Sequence, residues 1–449
     1  MQDTPNAETT LARFAAELEI EAIPAEVLHE AKRSLVNIFA TALAGCREQA
    51  IEATLETLLP HSANGSATLV GRSERADEML AAYVNAMGAN IFDFDDTHEA
   101  TIIHPAAPLL GSLFAHAEAA GLPGKAVLVG FVAGGEVECR IGNAMSPYHY
   151  ARGWHITSTC GVFGAAAGVG SMIGLSPDQM LHAFSTAAVQ SSGLVEMLGT
   201  MAKSASVGGA ARNGLASALL ARNGFTGPVA PLTGERGFLR VYADEPATDA
   251  LVDGLGSDWE IATNTYKPYP VGVVVNPVID ACLQLREREG LKLEDVAAIE
   301  VTGHPLLRQR TDRPDVSTGR MSQVSAQHAI AIVLLRGRAG LQEFSDEAAA
   351  ETLRTGRPQV TFHDDPSRDI ASIEFVVRTR GGGELRLDIL EALGSRRNPL
   401  SDAQLEAKLF EAARLVGFTG DARRLADAIW TIEKAGDAGD VVRLAAGAS

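Results

Sequence analysis

The sequence predicts a mainly α protein in which a large all-helical domain carries an inserted α+β lid domain. Three observations lead to this prediction. Apolar residues recur at helical spacing through the first half of the chain. After Thr265 the pattern changes to short runs that are rich in β-branched residues and alternate like strands. From Ser401 the helical pattern returns. We therefore expect residues 1–265 and 398–449 to form the helical domain, and residues 270–393 to form the lid.

The helices of the first half are bounded by residues that favour helix starts and stops. Pro105 and the pair Ser176-Pro177 are good starts, because proline fits the first turn of a helix. Gly45 and Asn223-Gly224 are good stops, since these residue types adopt the left-handed conformation that ends many helices. The expected helices cover residues 26–44, 77–92, 105–120, 123–143, 158–174, 176–190 and 205–222.

The inserted segment mixes strand patterns with a helical one. Alternation of apolar and polar residues predicts strands over 296–302, 359–362, 373–378 and 384–390, and helical spacing predicts a helix over 325–336. Beyond the insertion, Ser401 and Gln404 match the capping-box pattern at the start of a further helix.

Composition restricts the partners that the protein can have. The chain has 38 Lys and Arg against 56 Asp and Glu, a formal net charge of −18. Such a surface repels nucleic acid and anionic lipid, so we expect neither as a partner. Any site for an anionic substrate must therefore be locally basic.

Cysteine usage and the start of the chain indicate a cytoplasmic protein. The four cysteines are far apart and form no CxxC pair, which fits a reducing compartment. Residues 1–5 contain neither a basic nor an apolar run, so we expect no signal peptide.

The first candidate functional cluster is the acidic run from Asp93 to Glu99, followed by His104. If this run is helical, Asp93 and Thr97 share a face. His104 precedes the helix start at Pro105, and a helix N-terminus holds anions and lowers the pKa of a histidine. A solvated helix end and a core histidine are the alternative interpretations.

Three further clusters interrupt uncharged stretches. His155 and Lys203 both lie near the starts of Gly- and Ala-rich helices, a setting that suits a carboxylate ligand. Lys267 and Tyr269 belong to a segment in which two prolines fix the backbone. The alternatives are an aromatic-rich loop around His155, a surface lysine at 203 and a plain hinge at 266–270.

Motifs for metals and nucleotides are incomplete. Asp95, Asp96 and Glu99 match the DDxxE magnesium pattern of terpenoid synthases, but no second metal motif accompanies them. His98 occupies the position where a calcium loop needs glycine, and residues 164–174 lack the GxGxxG pattern. We therefore expect neither a metal nor an organic cofactor.

Seven segments, in this order, resemble the MmgE/PrpD family, and the resemblance covers nearly the whole chain. The segments are AKRSLVNIFATALAG (31–45), DFDDTHEATIIHPAAP (93–108), GWHITSTCGVFGAAAG (153–168), AKSASVGGAARNGLASA (202–218), YKPYPVG (266–272), SAQHAIAIVLLRG (325–337) and GSRRNPLSDAQLEAKL (394–409). The family includes 2-methylcitrate dehydratase, cis-aconitate decarboxylase and iminodisuccinate epimerase, which act on small polycarboxylates without a cofactor. The resemblance implies a homodimer, with active-site positions at Asp93, Thr97, His104, His155, Lys203 and Lys267.

The sequence also departs from the family pattern at several positions. Val271 and Asn276 stand where members often have Cys and His, Ser206 replaces a frequent His, and His328 replaces a frequent Tyr. These differences leave the reaction type open among dehydration, decarboxylation and epimerisation.

The predicted function is proton abstraction next to a carboxylate of a small di- or tricarboxylate, leading to elimination. Lys203 and Lys267 are expected to bind the substrate and to stabilise the charge that develops when the proton leaves. His155 or His104 is the expected proton-transfer residue, because histidine titrates near neutral pH. Asp93 would orient a histidine or the lid, and Thr97, Tyr269 and His328 would contact substrate. An epimerase, a decarboxylase and, from another class, a non-catalytic anion-binding helical protein are the alternatives.

Overall fold

A computed structural model describes residues 6–447, so the five N-terminal residues considered for a signal peptide lie outside the described part. The chain divides into two units, each with its own core. The helical unit comprises the chain up to Asn264 together with the chain from Ser401, and the sheet unit comprises Thr265–Leu400. The predicted class, mainly helical with a smaller sheet-containing part, is confirmed.

The first chain segment of the helical unit is built of helices joined by short strands and loops. The helices are α1 (Ala7–Glu17), α2 (Ala25–Gly45), α3 (Gln49–Leu58), α4 (Glu78–Asn90), α5 (Ala106–Ala120), α6 (Gly124–Met145), α7 (Tyr148–Ala151), α8 (Ile156–Met172), α9 (Pro177–Ala188), α10 (Met201–Arg222) and α11 (Phe238–Tyr242). The strands are β1 (Ala67–Thr68), β2 (Arg75–Ala76) and β3 (Asp96–His98). A further strand, β4 (Asn264–Tyr266), begins at the last residue of this segment.

Helix α8 forms the centre of the helical unit and packs against α5, α6, α9 and α10. Its residues are almost all buried and are mostly Gly, Ala, Ser and Thr. Small side chains allow the backbones to approach closely: a Cβ added at Gly214 of α10 would lie 2.6 Å from the carbonyl oxygen of Val162 in α8. The helices that carry candidate residues are therefore held in fixed relative positions.

The sequence predicted that Gly45 caps the C-terminus of α2. In the structure Gly45 is instead the last residue of this helix. A Cβ at Gly45 would lie 2.1 Å from the carbonyl oxygen of Gly88 in α4. Glycine is thus required there because two helices meet, and not because a left-handed turn ends the helix.

Two further expectations about local structure were wrong in ways that affect the site. Helix α4 ends at Asn90, and the acidic run continues as a loop and the strand β3, so Asp93 and Thr97 do not share a helix face. Asp93 has a positive φ of 54°. Helix α10 begins at Met201, four residues earlier than expected, which places Lys203 inside its first turn.

The sheet unit contains α12 (Asn276–Glu289), β5 (Val296–Gly303), α13 (Pro305–Thr311), α14 (Gly319–Ser322), α15 (Ala326–Arg336), α16 (Asp346–Thr355), β6 (Val360–Asp364), β7 (Ile373–Thr379) and β8 (Glu384–Ile389). The strand order is β6-β5-β7-β8. β5 pairs in parallel with β6, and the other two pairings are antiparallel. The four predicted strands and the predicted helix at 325–336 are confirmed. Inward-facing residues of β5 and β7 share one core with α12 and α15.

The chain then returns to the helical unit through α17 (Asp402–Leu415), α18 (Ala422–Trp430) and α19 (Gly439–Arg443). The predicted capping box is present, since the Ser401 side chain accepts from the N–H of Gln404 and the Gln404 side chain accepts from the N–H of Ser401. Helix α17 packs on α2. Within residues 6–447, no helix combines the length and the apolar character that crossing a bilayer requires.

Adjacent glycines in α10 test whether close helix approach determines the stability of the helical unit. A Cβ at Gly208 would lie 2.6 Å from the carbonyl oxygen of Tyr83 in α4, whereas a Cβ at Gly209 would meet nothing within 4 Å. We expect Gly208→Ala to lower the free energy of unfolding by about 1–3 kcal/mol through overpacking. The control Gly209→Ala should raise it by about 0.5–1 kcal/mol, because alanine restricts the unfolded chain. Urea unfolding of both variants measures the difference, and equal effects would contradict the packing argument.

Candidate active site

The candidate site is organised around Asp96, whose carboxylate is fully buried. This carboxylate accepts hydrogen bonds from Ser34 Oγ of α2 at 3.1 Å, from Asn264 Nδ2 at 2.5 Å and from the N–H of Ala106 at the start of α5. Burial and the neighbouring Asp95 carboxylate raise the pKa of Asp96 to about 7, while these hydrogen bonds act in the opposite direction. Asp96 therefore ties three distant segments together.

The backbone of Asp96 orients the ring of His104. Its Nδ1 lies 2.6 Å from the carbonyl oxygen of Asp96, which can only accept, so Nδ1 carries a proton that is donated to this oxygen. Nε2 is then the ring nitrogen that exchanges protons, and it lies 3.5 Å from Asp93 Oδ1. The backbone N–H of His104 donates to Thr157 Oγ1 at 3.1 Å, which joins this segment to the first turn of α8.

Lys203 is paired with Asp93 in the same part of the unit. Lys203 Nζ donates to Asp93 Oδ1 at 2.8 Å and lies 3.4 Å from the carbonyl oxygen of Asn90. The lysine side chain is 3% exposed, whereas that of Asp93 is 39% exposed. A buried cation is thus neutralised by an anion on the solvent side, and the positive φ of Asp93 points to a constrained loop at this position.

His155 caps the N-terminus of α8 and is buried. Its backbone N–H donates to the carbonyl oxygen of Gly193, and its Nδ1 lies 2.6 Å from Ser158 Oγ. Burial first, and then the charges of Lys203 and His104, lower the pKa of His155 to about 3, with Asp93 acting in the opposite direction. The ring is therefore neutral at physiological pH.

Five of the eight predicted site residues lie in this cluster of the helical unit: Asp93, Thr97, His104, His155 and Lys203. Thr97 belongs to the cluster because its Oγ1 lies 3.4 Å from His104 Nδ1. The functional roles predicted for these residues stay predictions, but their proximity follows from the contacts above.

The other three predicted residues, Lys267, Tyr269 and His328, belong to the sheet unit and are buried. Tyr269 donates its hydroxyl hydrogen to Asp280 Oδ1 at 2.6 Å. Both ring nitrogens of His328 are engaged, Nδ1 with Thr352 Oγ1 and Nε2 with the carbonyl oxygen of Glu343. A substrate contact by His328 would have to displace one of these bonds.

Sequence reasoning missed the supporting polar groups. His98 Nε2 lies 2.9 Å from Glu260 Oε2, a pair separated by more than a hundred residues and invisible to local patterns. Glu138 of α6 is fully buried beside α8, with its carboxyl group against Gly161 and Gly164. Burial, together with the charge of Asp96, raises the pKa of Glu138 well above the usual value, which favours its neutral form. The position of Glu138 within an apolar helical run was the feature of the sequence that could have indicated a buried acid.

Asp93, Asp95 and His104 could together hold a metal ion, because one donor atom of each lies within 4.8 Å of the others. Two of these residues have competing partners, since Lys203 donates to Asp93 Oδ1 and Asn90 donates to Asp95 Oδ2. The DDxxE magnesium motif is not supported either, because Glu99 is exposed whereas Asp95 and Asp96 are fully buried. The arrangement favours proton transfer and anion binding.

The chain belongs to the MmgE/PrpD family, because it matches the profile of the family's N-terminal domain over residues 9–250 and that of its C-terminal domain over residues 269–434. It is 27% identical to a cis-aconitate decarboxylase-like protein of Aspergillus oryzae over 99% of this chain and 98% of the relative. It is 30% identical to the cis-aconitate decarboxylase of Aspergillus terreus over 62% of this chain and 60% of the relative. The cis-aconitate decarboxylase of Homo sapiens is 27% identical over 87% of this chain and 84% of the relative.

The lowered pKa of His155 predicts that the folded protein becomes less stable as the pH falls. The folded protein keeps this ring neutral down to a pKa of about 3, whereas the unfolded chain takes up the proton near 6.5. The unfolded state binds more protons between these values, so stability falls as pH drops through that window. From about pH 7.5 to pH 5 we expect the free energy of unfolding of the wild-type protein to fall by about 2 kcal/mol more than that of the His155→Gln variant.

Urea unfolding of both proteins at the two pH values measures this difference. Groups that titrate in both proteins, such as Asp96, cancel in the comparison. Parallel loss of stability in the two proteins would show that His155 is not held neutral by its surroundings.

Proposed function

We propose that this protein is a lyase that acts on a small di- or tricarboxylate by transferring a proton at a carbon next to a carboxylate. The observation that carries the proposal is the gathering of Lys203, His104 and His155 in a buried part of a strongly acidic protein. The buried cation of this group, Lys203, needs an anionic partner, and a substrate carboxylate suits the place that Asp93 occupies beside it. Family membership and relatives named as cis-aconitate decarboxylases support the same class of reaction.

Lys203 binds a substrate carboxylate in place of Asp93. Asp93 is the more exposed partner of the ion pair, so its carboxylate can leave while the lysine stays in position. The lysine then stabilises the negative charge that spreads onto the carboxylate when the neighbouring carbon loses its proton. Thr97 is the further residue of the helical unit that we propose for substrate contact.

His155 accepts the proton, and substrate binding makes it a stronger base. With a pKa of about 3 the ring is a weak base, partly because Lys203 and His104 are close. A substrate with two or three carboxylates brings more negative charge than the single carboxylate of Asp93 that it displaces, and this raises the pKa toward the range in which histidine catalyses proton transfer. His104 is the complementary donor, since its Nδ1 stays bonded to Asp96 and its Nε2 delivers the proton.

In an elimination, the electron pair of the broken C–H bond forms a carbon–carbon double bond. The C–O bond of a β-hydroxyl group breaks, and the oxygen takes a proton from His104 and leaves as water. Decarboxylation is the second candidate, favoured by the names of the relatives. There the C–C bond to a carboxylate breaks, carbon dioxide leaves, and a histidine protonates the carbon that receives the electron pair.

One experiment separates these reactions from each other and from a non-catalytic anion-binding protein. The protein is incubated in heavy water with a panel of di- and tricarboxylates, including saturated hydroxy acids and unsaturated acids, and is followed by proton NMR. Loss of water, loss of carbon dioxide and deuterium exchange without net change give different spectra. Binding without any of these changes would overturn the proposal of a lyase.

Lys203→Ala tests the proposed role of the lysine. Because the charge near Lys203 grows as the proton leaves, we expect the variant to lose about a hundredfold or more in kcat/KM. Lys125→Ala is the matched control, since Lys125 is an exposed lysine paired with the exposed Glu21. Turnover of the reacting acid is measured for both, with circular dichroism to verify folding. Full activity in folded Lys203→Ala would rule out the proposed site.

Chelation tests whether the reaction needs the metal-capable residues as ligands. Lys203 already pairs with Asp93 and Asn90 with one oxygen of Asp95, so we expect turnover to survive prolonged dialysis against EDTA. Activity is compared before and after dialysis, and again after addition of magnesium or zinc. Loss on dialysis with recovery on addition of either metal would show that Asp93, Asp95 and His104 serve as ligands.

A further inference from the structure

A chain of hydrogen bonds leads from His155 to the backbone of α10 through two serines. His155 Nδ1 lies 2.6 Å from Ser158 Oγ, and Ser158 Oγ lies 2.6 Å from Ser206 Oγ. Ser206 Oγ in turn lies 2.7 Å from the carbonyl oxygen of Lys203. These hydrogen bonds thus join His155, at the N-terminus of α8, to Lys203 in the first turn of α10.

Each hydroxyl group has one hydrogen, and this determines the direction of every bond in the chain. The carbonyl oxygen of Lys203 can only accept, so Ser206 donates its hydrogen there. Ser206 must then accept from Ser158, which uses the only hydroxyl hydrogen of Ser158. Ser158 can therefore only accept from His155, and Nδ1 must carry the ring proton.

We propose that Ser158 and Ser206 are positioning residues that hold His155 as the tautomer protonated at Nδ1, so that Nε2 carries the lone pair. The inference rests on the function proposed above, in which that lone pair accepts the substrate proton. Among residues 6–447, His155 Nε2 makes no hydrogen bond, whereas Nδ1 is engaged. The other tautomer would place the proton on Nε2 and abolish the proposed base.

The arrangement also explains the use of glycine at position 193. A Cβ at Gly193 would lie 2.8 Å from Ser158 Cβ and 3.4 Å from His155 Cβ, and Gly193 has a φ of 139° that other residues rarely adopt. Its carbonyl oxygen accepts from the N–H of His155. The backbone at Gly193 therefore holds both the histidine and the first serine in place.

The tautomer can be measured without any substrate. Nitrogen NMR of protein with 15N-labelled histidine distinguishes protonated from unprotonated ring nitrogens, and His155→Gln identifies the signals. We expect Nδ1 of His155 to be protonated and Nε2 to be unprotonated at neutral pH. A wild-type spectrum with the proton on Nε2 would overturn the proposal whether or not any variant folds.

Variants of Ser206 test the consequence for catalysis. In Ser206→Ala the hydrogen of Ser158 is free to turn toward His155 Nδ1, so both tautomers become populated. We expect kcat to fall about tenfold with little change in KM, as is typical when a group that orients a functional histidine is removed. Ser206→Thr retains the hydroxyl group and should restore both the tautomer and kcat.

Ser204→Ala is the matched control. Ser204 lies in the same turn of α10 and donates to a backbone carbonyl three residues earlier, as Ser206 does, but that carbonyl belongs to Met201. We expect its tautomer signal and kcat to match the wild type. An unchanged tautomer and kcat in Ser206→Ala would contradict the relay.

The outcome also separates this inference from the proposed function. A ring protonated at Nδ1 in a protein that converts no polycarboxylate would support the relay and reject the lyase. Turnover by a protein whose His155 is protonated at Nε2 would support the lyase and reject the relay.

Discussion

The buried carboxylate of Asp96 joins segments that are far apart in the chain. Its oxygens bind α2, the start of α5 and the last residue of the first segment of the helical unit, while its backbone oxygen orients His104. Loss of this carboxylate would leave several buried donors without an acceptor, which is costly. The position of His104 is therefore coupled to the packing of the helical core. Burial and the charge of Asp96 raise the pKa of the nearby Glu138, which favours the neutral form of that carboxyl group.

The close packing of small residues fixes the positions of His155 and Lys203, as the hydrogen bonds of Asp96 fix the position of His104. His155 lies at the start of α8 and Lys203 in the first turn of α10, and these helices approach through Gly214 and Val162. Helices in such contact cannot slide without creating clashes or voids. Two residues separated by almost fifty positions thus keep a fixed geometry although neither is part of a covalent or metal crosslink.

Local patterns were sufficient for most of the predicted helices, for the four strands of the sheet unit and for the capping box at Ser401, because each depends on neighbours within a few positions. They did not locate the start of α10. They failed for the acidic run, where Asp93 adopts a positive φ and Asp96 enters a strand, since long-range bonds to Ser34 and Asn264 determine that conformation. The prediction that Asp93, His104, His155 and Lys203 share one site came from charge placed in uncharged surroundings and from the family resemblance. The relay through Ser158 and Ser206 could not be predicted, because its direction depends on hydroxyl groups from two helices meeting in space.

The pairing of Lys203 with Asp93 means that the site carries its own counter-ion. In the function that we propose, a ligand displaces the carboxylate of Asp93 from Lys203. Such a ligand would need more favourable contacts than Asp93 makes, which a second or third carboxylate on the ligand would supply. The same aspartate would assist product release, because its carboxylate would return to Lys203 as the product leaves. Selection for polyvalent acids and rapid release would then arise from one ion pair.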